Sequence, residues 1–203
     1  LHVAFGIASF LLIAGTVGVF LQDHYGREYR GYQEAYEAAE ARIKTPSGGS
    51  ALSFLRDAPG IDFIAPRRRI EQVVLNDLPL DMHGDTTPRV DRCVTCHQAI
   101  GNPDPQYRAG QPHGAAPTPA LRSHPRLDLY VGANSKHPYA RFGCTVCHLG
   151  RPMGVAFNRA AHSPRDRQQA DEWQRKYGWT PFEFWEQKML PLQYTEASCL
   201  KCH

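Results

Sequence analysis

CVTCH at residues 93–97, CTVCH at 144–148 and CLKCH at 199–203 are the stretches that decide the fold of this chain. Each has two cysteines separated by two residues and a histidine directly after the second cysteine. C-x-x-C-H is the attachment signature of haem c, in which both thiols add to the haem vinyl groups and the histidine binds the iron. The sequence therefore predicts three covalently attached haem c groups, each held on a short helical turn.

The three motifs use every cysteine in the chain, which argues against other interpretations of the pattern. A disulfide framework gives no reason for a histidine after each pair, and structural zinc would have six thiolates to distribute. The predicted attachment residues are Cys93, Cys96, Cys144, Cys147, Cys199 and Cys202, and the predicted proximal iron ligands are His97, His148 and His203. Because such attachment takes place outside the cytoplasm, where thiols risk oxidation, a periplasmic domain is expected.

Each iron also needs a sixth ligand, or its second face stays open. Seven histidines lie outside the motifs, and His124, His137 and His162 are the best distal candidates. His124 and His137 each precede a proline, which restricts the backbone and suits a fixed ligand. Spacing does not assign a distal histidine to a particular haem. Weaker candidates are His113 and, below it, His83 and Met153.

Residues 3–21, VAFGIASFLLIAGTVGVFL, contain no charged side chain. As a helix they extend about 28 Å, close to the thickness of the hydrocarbon core of a membrane. A cleaved signal peptide is the alternative, but its apolar region is normally shorter, and no A-x-A cleavage site follows here. Residues 1–22 are therefore predicted to be a single-pass anchor in the cytoplasmic membrane, with the haem domain on the periplasmic side.

Residues 23–50 are predicted to form an amphipathic helix to about residue 44, followed by the linker TPSGGS. An apolar stripe on this helix recurs at spacings of four and three, as on one helical face. It consists of Tyr25, Tyr29, Tyr32, Tyr36, Ala39 and Ile43. The stripe either packs on the chain's own domain or docks on a neighbouring subunit, and the sequence favours neither alternative.

Residues 51–203 are predicted to form one triple-haem domain, and the sequence is expected to be cut short at its ends. Residues 70–75, IEQVVL, predict a short strand. Gly and Pro together are frequent (17 and 16 residues) and only 42% of residues are apolar, so loops are extensive. The expected fold class is mainly α with extensive irregular loops and little β.

Capping signals predict two helices near the C-terminal end. Ser163 as N-cap and Gly178 as C-cap bound a helix over about 164–177. A capping-box pattern beginning at Thr180 predicts a second, shorter helix that runs to about Met189. The tryptophans of this region are expected to pack on the haem groups and are Trp173, Trp179 and Trp185.

The charges of the chain bear on nucleic-acid binding and on one basic run. The formal net charge is only +3, which does not favour nucleic-acid binding. A small basic run at residues 67–69 is either a solvated surface or a contact for haem propionates, since arginine pairs well with carboxylates.

The stretches VDRCVTCH, SHPRLDLYVGANSKHPYARFGCTVCHLG, AAHSP and TEASCLKCH resemble membrane-anchored multihaem c-type cytochromes. That family accompanies cytochrome b and Rieske-type quinol-oxidising complexes in bacteria, and its members often continue into further haem modules. The resemblance covers roughly residues 70–203. It implies a cytochrome b-like membrane partner, a soluble periplasmic electron carrier, and His124, His137 and His162 as distal ligands.

Three functions follow from these expectations. In an electron-transfer subunit without catalysis of its own, both axial positions of every iron are filled by protein ligands. In a multihaem reductase of a small nitrogen or sulfur oxyanion, one haem keeps an open face beside a polar pocket. A haem-handling or sensing protein is disfavoured, because a transient site does not need three complete attachment motifs.

Overall fold

The computed structural model of this protein describes residues 2–44, 68–76, 88–109, 118–182 and 187–203. About half of these residues are helical and few lie in strands, which confirms the expectation of a mainly helical fold with little β. Several positions considered above lie outside the described residues. They are the linker 45–50, Arg67, His83, His113 and Trp185.

Helix α1 spans His2–Tyr25, and none of its residues is buried. Its most apolar window of 18 residues has a mean hydropathy of 2.2. At about 1.5 Å per residue the helix is about 36 Å long, so its length and composition would allow it to cross a membrane. The helix extends three residues past the predicted boundary at residue 22.

Helix α2 spans Glu28–Lys44 and is separated from α1 by Gly26 and Arg27. The break at Gly26 has a local reason, because a Cβ there would lie 2.7 Å from the carbonyl oxygen of Gln22. The sequence-based end of the helix at residue 44 agrees with the structure.

The apolar stripe of α2 packs mainly on the chain's own domain. Tyr29 and Ala39 are buried, and the ring of Tyr36 lies 5.7 Å from the ring of Tyr107. Tyr25 is the last residue of α1 and is 46% exposed. Internal packing therefore accounts for most of the stripe.

Two short strand pairs complete the regular structure. Strands β1 (Val73–Leu75) and β2 (Arg89–Asp91) pair antiparallel, with Val74 opposite Val90. Strands β3 (Tyr130–Val131) and β4 (His137–Pro138) pair in parallel, with Tyr130 opposite His137. The strand predicted at residues 70–75 is thus confirmed only for its last three residues.

The remaining helices are short and surround the cysteine motifs. Helices α3 (Tyr139–Phe142) and α4 (Thr145–His148) are single turns, and α5 spans Arg167–Tyr177. The 3₁₀ helices are Cys93–Thr95, Pro105–Tyr107, Pro119–Leu121 and Leu192–Lys201.

The predicted start of the helix at 164–177 is wrong by three residues. The N-cap of α5 is Asp166, not Ser163, because the Asp166 carboxylate accepts the amide proton of Gln169 at 2.8 Å. A carboxylate is a good cap at the positive end of a helix. Asp166, which provides it, lies within the first turn of the helix that the sequence predicted. The predicted C-cap is confirmed, since Gly178 is left-handed with φ 62°.

The second predicted helix is not present in its described part. Residues 187–189 are not helical, and Met189 instead pairs with Leu149 as an isolated bridge. Residues 183–186 lie outside the described residues.

The buried apolar side chains of the described residues are few for a chain of this length. They are Tyr29, Ala39, Leu75, Ala99, Tyr107, Leu121 and Ala161.

Polar contacts also hold α2 on the domain. The buried Gln33 amide donates to the carbonyl oxygens of Arg69 (2.8 Å) and Thr95 (3.0 Å). In the basic run at 67–69, Arg68 forms ion pairs with the carboxylates of Glu34 and Glu37 of α2.

Candidate functional site

The three C-x-x-C-H motifs form the same backbone turn, although they lie in different helices. In each, the amide of the histidine donates to the carbonyl oxygen of the first cysteine at 3.0 Å. The turn brings both thiols and the imidazole of one motif close together. All six cysteines are free thiols. The predicted short helical turns are therefore confirmed.

A buried carboxylate joins the first two motifs. Asp91 is fully buried, and one of its oxygens accepts from the amides of Cys144 and Thr145, both at 2.8 Å, and from the Thr145 hydroxyl at 2.9 Å. The other oxygen accepts from the amide of Cys93 at 3.1 Å. The ligand atoms of Asp91, Cys93 and Cys144 all lie within 4.8 Å of one another. Asp91 thus fixes the two motifs side by side.

Sequence reasoning missed Asp91, because nothing in its local pattern distinguishes it from a surface aspartate. The only local signal is its position two residues before Cys93. Gly143 supports the same junction from the other motif, with φ 61°, where side chains other than glycine are strained. A Cβ at Gly143 would lie 2.9 Å from Asp91 Oδ2 and 3.0 Å from Leu75 Cδ1.

The third motif contacts the second but is exposed to solvent. The Lys201 ammonium donates to the carbonyl oxygen of Val146 at 3.0 Å. The Cys147 thiol is within hydrogen-bonding reach of Ser198. The side chains of the third motif that would hold a group are all exposed: Cys199, Cys202 and His203.

The structure brings two of the three predicted distal histidines to a motif histidine. The ring centres of His97 and His162 are 6.1 Å apart. Those of His137 and His203 are 6.0 Å apart. His124 lies close enough to His148 for its charge to lower the pKa of that ring, after the larger effect of burial.

Local backbone contacts orient two of the distal rings in the same way. His162 Nδ1 lies 2.8 Å from the carbonyl oxygen of Phe157, and His137 Nδ1 lies 3.2 Å from that of Leu129. Because a carbonyl oxygen only accepts, each Nδ1 carries a proton and each Nε2 has a free lone pair. Such a contact is the usual way in which a metal-binding histidine is oriented.

His124 is held differently. Its amide donates to the carbonyl oxygen of Ile100 at 2.8 Å, which ties this loop to the chain just after the first motif. Its Nδ1 accepts the amide proton of Arg126 at 3.1 Å. The two nitrogens of His124 therefore have roles opposite to those in His137 and His162.

Burial keeps several of these imidazoles neutral, which is the form that binds a metal ion. Burial, with smaller effects of His162 and His148, lowers the pKa of His97 to about 4. Burial is also the main cause of the lowered pKa of His148, His162 and His124.

The thiols nearest the junction are also neutral. Burial, followed by the charge of Glu28, raises the pKa of Cys96 to about 12. The pKa of Cys93 is raised chiefly by its hydrogen bond with Cys144 and next by burial. Both thiols are therefore protonated near neutral pH.

Aromatic side chains enclose His162. Phe157 stacks on His162 with ring centres 4.4 Å apart, and Trp173 meets Phe157 edge-on at 5.0 Å. The Trp179 indole donates to the carbonyl oxygen of His162 at 3.0 Å. This packing excludes water from one side of the His97–His162 pair.

The described residues fit haem c by two observations. An imidazole nitrogen binds a transition metal at about 2 Å and the ring centre lies about 1 Å farther out, so rings on opposite faces of one ion have centres about 6 Å apart. The pairs formed by His97 with His162 and by His137 with His203 have this separation. The sparse apolar core is the second observation, since a large flat cofactor would contribute buried surface of its own.

No known protein family, curated protein or solved structure matches this chain.

Proposed function

We propose that this protein is a membrane-anchored c-type cytochrome with three covalently attached haem groups, which transfers electrons between a quinol-linked membrane complex and a periplasmic acceptor. The observation that carries the proposal is the pairing of two C-x-x-C-H histidines, His97 and His203, with separate distal histidines at ring-centre separations of 6.1 and 6.0 Å. When bound, the haem iron supplies one-electron redox chemistry by alternating between its ferrous and ferric forms.

The protein's part in this function is attachment and positioning. The two thiols of each motif fix a group covalently, and the following histidine supplies one axial nitrogen. Asp91 and Gly143 hold the first two attachment sites against each other, and Lys201 connects the third site to the second. Three neighbouring sites in a row favour rapid electron transfer from one end to the other.

The contacts of α2 support a direction of electron flow relative to the membrane. Glu28 begins α2 only three residues after α1 ends, and its carboxylate accepts the amide proton of Phe157 at 2.9 Å. Phe157 in turn stacks on His162, the partner of His97. These contacts support electron entry at the first motif, on the membrane side, and exit at the exposed third motif.

Haem content tests the proposal. The chain with its anchor is produced in a bacterium that attaches haem c in the periplasm and is purified in mild detergent. Intact mass and the pyridine haemochrome spectrum are then expected to give three covalent haems per chain. Double replacement of Cys93 and Cys96 by alanine should reduce the number to two. Absence of covalent haem in the unaltered chain contradicts the proposal.

Electron transfer is tested separately on the haem-loaded chain. Membranes that contain a quinol-oxidising cytochrome b complex, supplied with quinol, should reduce the protein, and an oxidised soluble c-type cytochrome should reoxidise it. Stopped-flow absorbance in the visible bands measures both steps. Failure of both reactions, with three haems present, would show that the haems serve another purpose.

A further inference from the structure

The three distal histidines differ in which nitrogen carries the proton. In His137 and His162, Nδ1 faces a carbonyl oxygen at 3.2 and 2.8 Å, so the proton is on Nδ1. In His124, Nδ1 faces the amide N–H of Arg126 at 3.1 Å. An amide N–H only donates, so Nδ1 of His124 is unprotonated and the proton of the neutral ring is on Nε2.

This difference decides how readily each ring binds iron. A metal ion binds an unprotonated nitrogen. His137 and His162 already present one at Nε2 and keep their carbonyl hydrogen bond when they bind. His124 must first break its bond with the Arg126 amide, either by turning the ring or by moving the proton to Nδ1. Moving the proton would set two N–H donors against each other.

The placement of His124 also differs from that of the other two. His97–His162 and His137–His203 are ring pairs with centres 6.1 and 6.0 Å apart. His124 instead contacts the ring of Tyr130, with ring centres 5.3 Å apart. The Arg126 amide, fixed by the intervening Pro125, thus competes with the metal for His124.

Building on the proposed function, we propose that His124 is a replaceable distal ligand, so that the second attachment site opens to a small neutral diatomic gas such as carbon monoxide. The exchange is a ligand substitution. The bond between His124 and ferrous iron breaks, the carbon atom of carbon monoxide takes the sixth position, and His124 returns to its hydrogen bond with the Arg126 amide. No electron is transferred.

Carbon monoxide titration of the dithionite-reduced, full-length protein tests this proposal. Haem content is measured first, because a chain without three haems would overturn the proposed function instead. The Soret change is then expected to correspond to one carbon monoxide per three haems. His124→Ala should still bind one carbon monoxide per chain. The carbon monoxide concentration at half-saturation should fall about tenfold, which is equivalent to about 1.4 kcal/mol for removal of the competing ligand.

Matched variants assign the effect to the Arg126 amide. Arg126→Ala removes the side chain but keeps the amide N–H, and should bind carbon monoxide like the unaltered protein. Arg126→Pro removes the N–H and should suppress carbon monoxide binding, because His124 then holds the iron without competition. His137→Ala should bind two molecules per chain, since it opens a second site.

Two results overturn the proposal without use of the proline variant. If the unaltered protein binds no carbon monoxide and His124→Ala binds one, His124 is as tight a ligand as the others. If the unaltered protein binds one molecule and His124→Ala binds two, the open site is a different one.

Discussion

The first and third C-x-x-C-H motifs have the same spacing and the same backbone turn, yet they lie in opposite environments. The first is held by the buried Asp91, by Gln33 of α2 and by the aromatic side chains around His162. The third is exposed and is connected to the second by contacts at its surface. A motif therefore specifies its own turn, whereas its surroundings decide how strongly the fold depends on it.

The largest effect is expected from Asp91→Ala, which should break the junction of the first two motifs. It leaves the half-buried amides of Cys93, Cys144 and Thr145 without their acceptor, at a cost of about 1 kcal/mol or more for each such group. We expect a loss of about 3 kcal/mol or more in the free energy of unfolding, measured by thermal or denaturant unfolding of the loaded protein.

Asp128→Ala is the matched control for Asp91→Ala, because Asp128 is exposed and forms its ion pair with Arg126 at the surface. It should leave the unfolding midpoint unchanged. Equal effects of the two substitutions would show that Asp91 does not join the motifs.

The next largest effect is expected from Gly143→Ala. The positive φ and the close approach of Asp91 and Leu75 should together cost about 2 kcal/mol of unfolding free energy. Gly178→Ala is the control, since Gly178 has nearly the same φ but its added Cβ would meet nothing within 4 Å. It should cost only about 1 kcal/mol. A smaller effect at Gly143 than at Gly178 would refute close packing at the junction.

A moderate effect is expected from Gln33→Leu, which tests the contact between α2 and the first motif. The substitution removes two hydrogen bonds to buried carbonyl groups and should lower the free energy of unfolding by about 1–2 kcal/mol. Arg42→Ala, on an exposed part of α2, should change it by less than about 0.5 kcal/mol. The Thr95 amide donates to the Arg92 carbonyl oxygen within the same turn, so its hydrogen exchange reports opening of the first motif. Exchange at this amide should rise only in the Gln33 variant, and an unchanged rate would argue against a stabilising contact.

The smallest effect is expected from Lys201→Ala in the third motif. Its single hydrogen bond to Val146 is exposed, so the free energy of unfolding should change by less than about 0.5 kcal/mol. Three haems per chain should remain, as measured by intact mass. A loss comparable with that of Asp91→Ala would remove the contrast between the first and third motifs.

Local features were predicted well because they depend on neighbouring residues. The turns of the three motifs, the C-cap Gly178 and the long apolar helix at the N-terminal end all follow from residues within one or two helical turns. The errors were also local in origin. Ser163 and Asp166 are both good N-caps, and only the hydrogen bond between Asp166 and Gln169 selects the second.

The sequence by itself determined the three C-x-x-C-H turns, since each motif and its closing hydrogen bond lie within five consecutive positions. Tertiary structure decided which distal histidine meets which motif, because the partners are 65 residues apart in His97–His162 and 66 in His137–His203 by their numbering. It also decided the role of Asp91, which pairs with amides more than 50 positions away. Such contacts form only when distant segments fold together, and no local pattern of residue types encodes them.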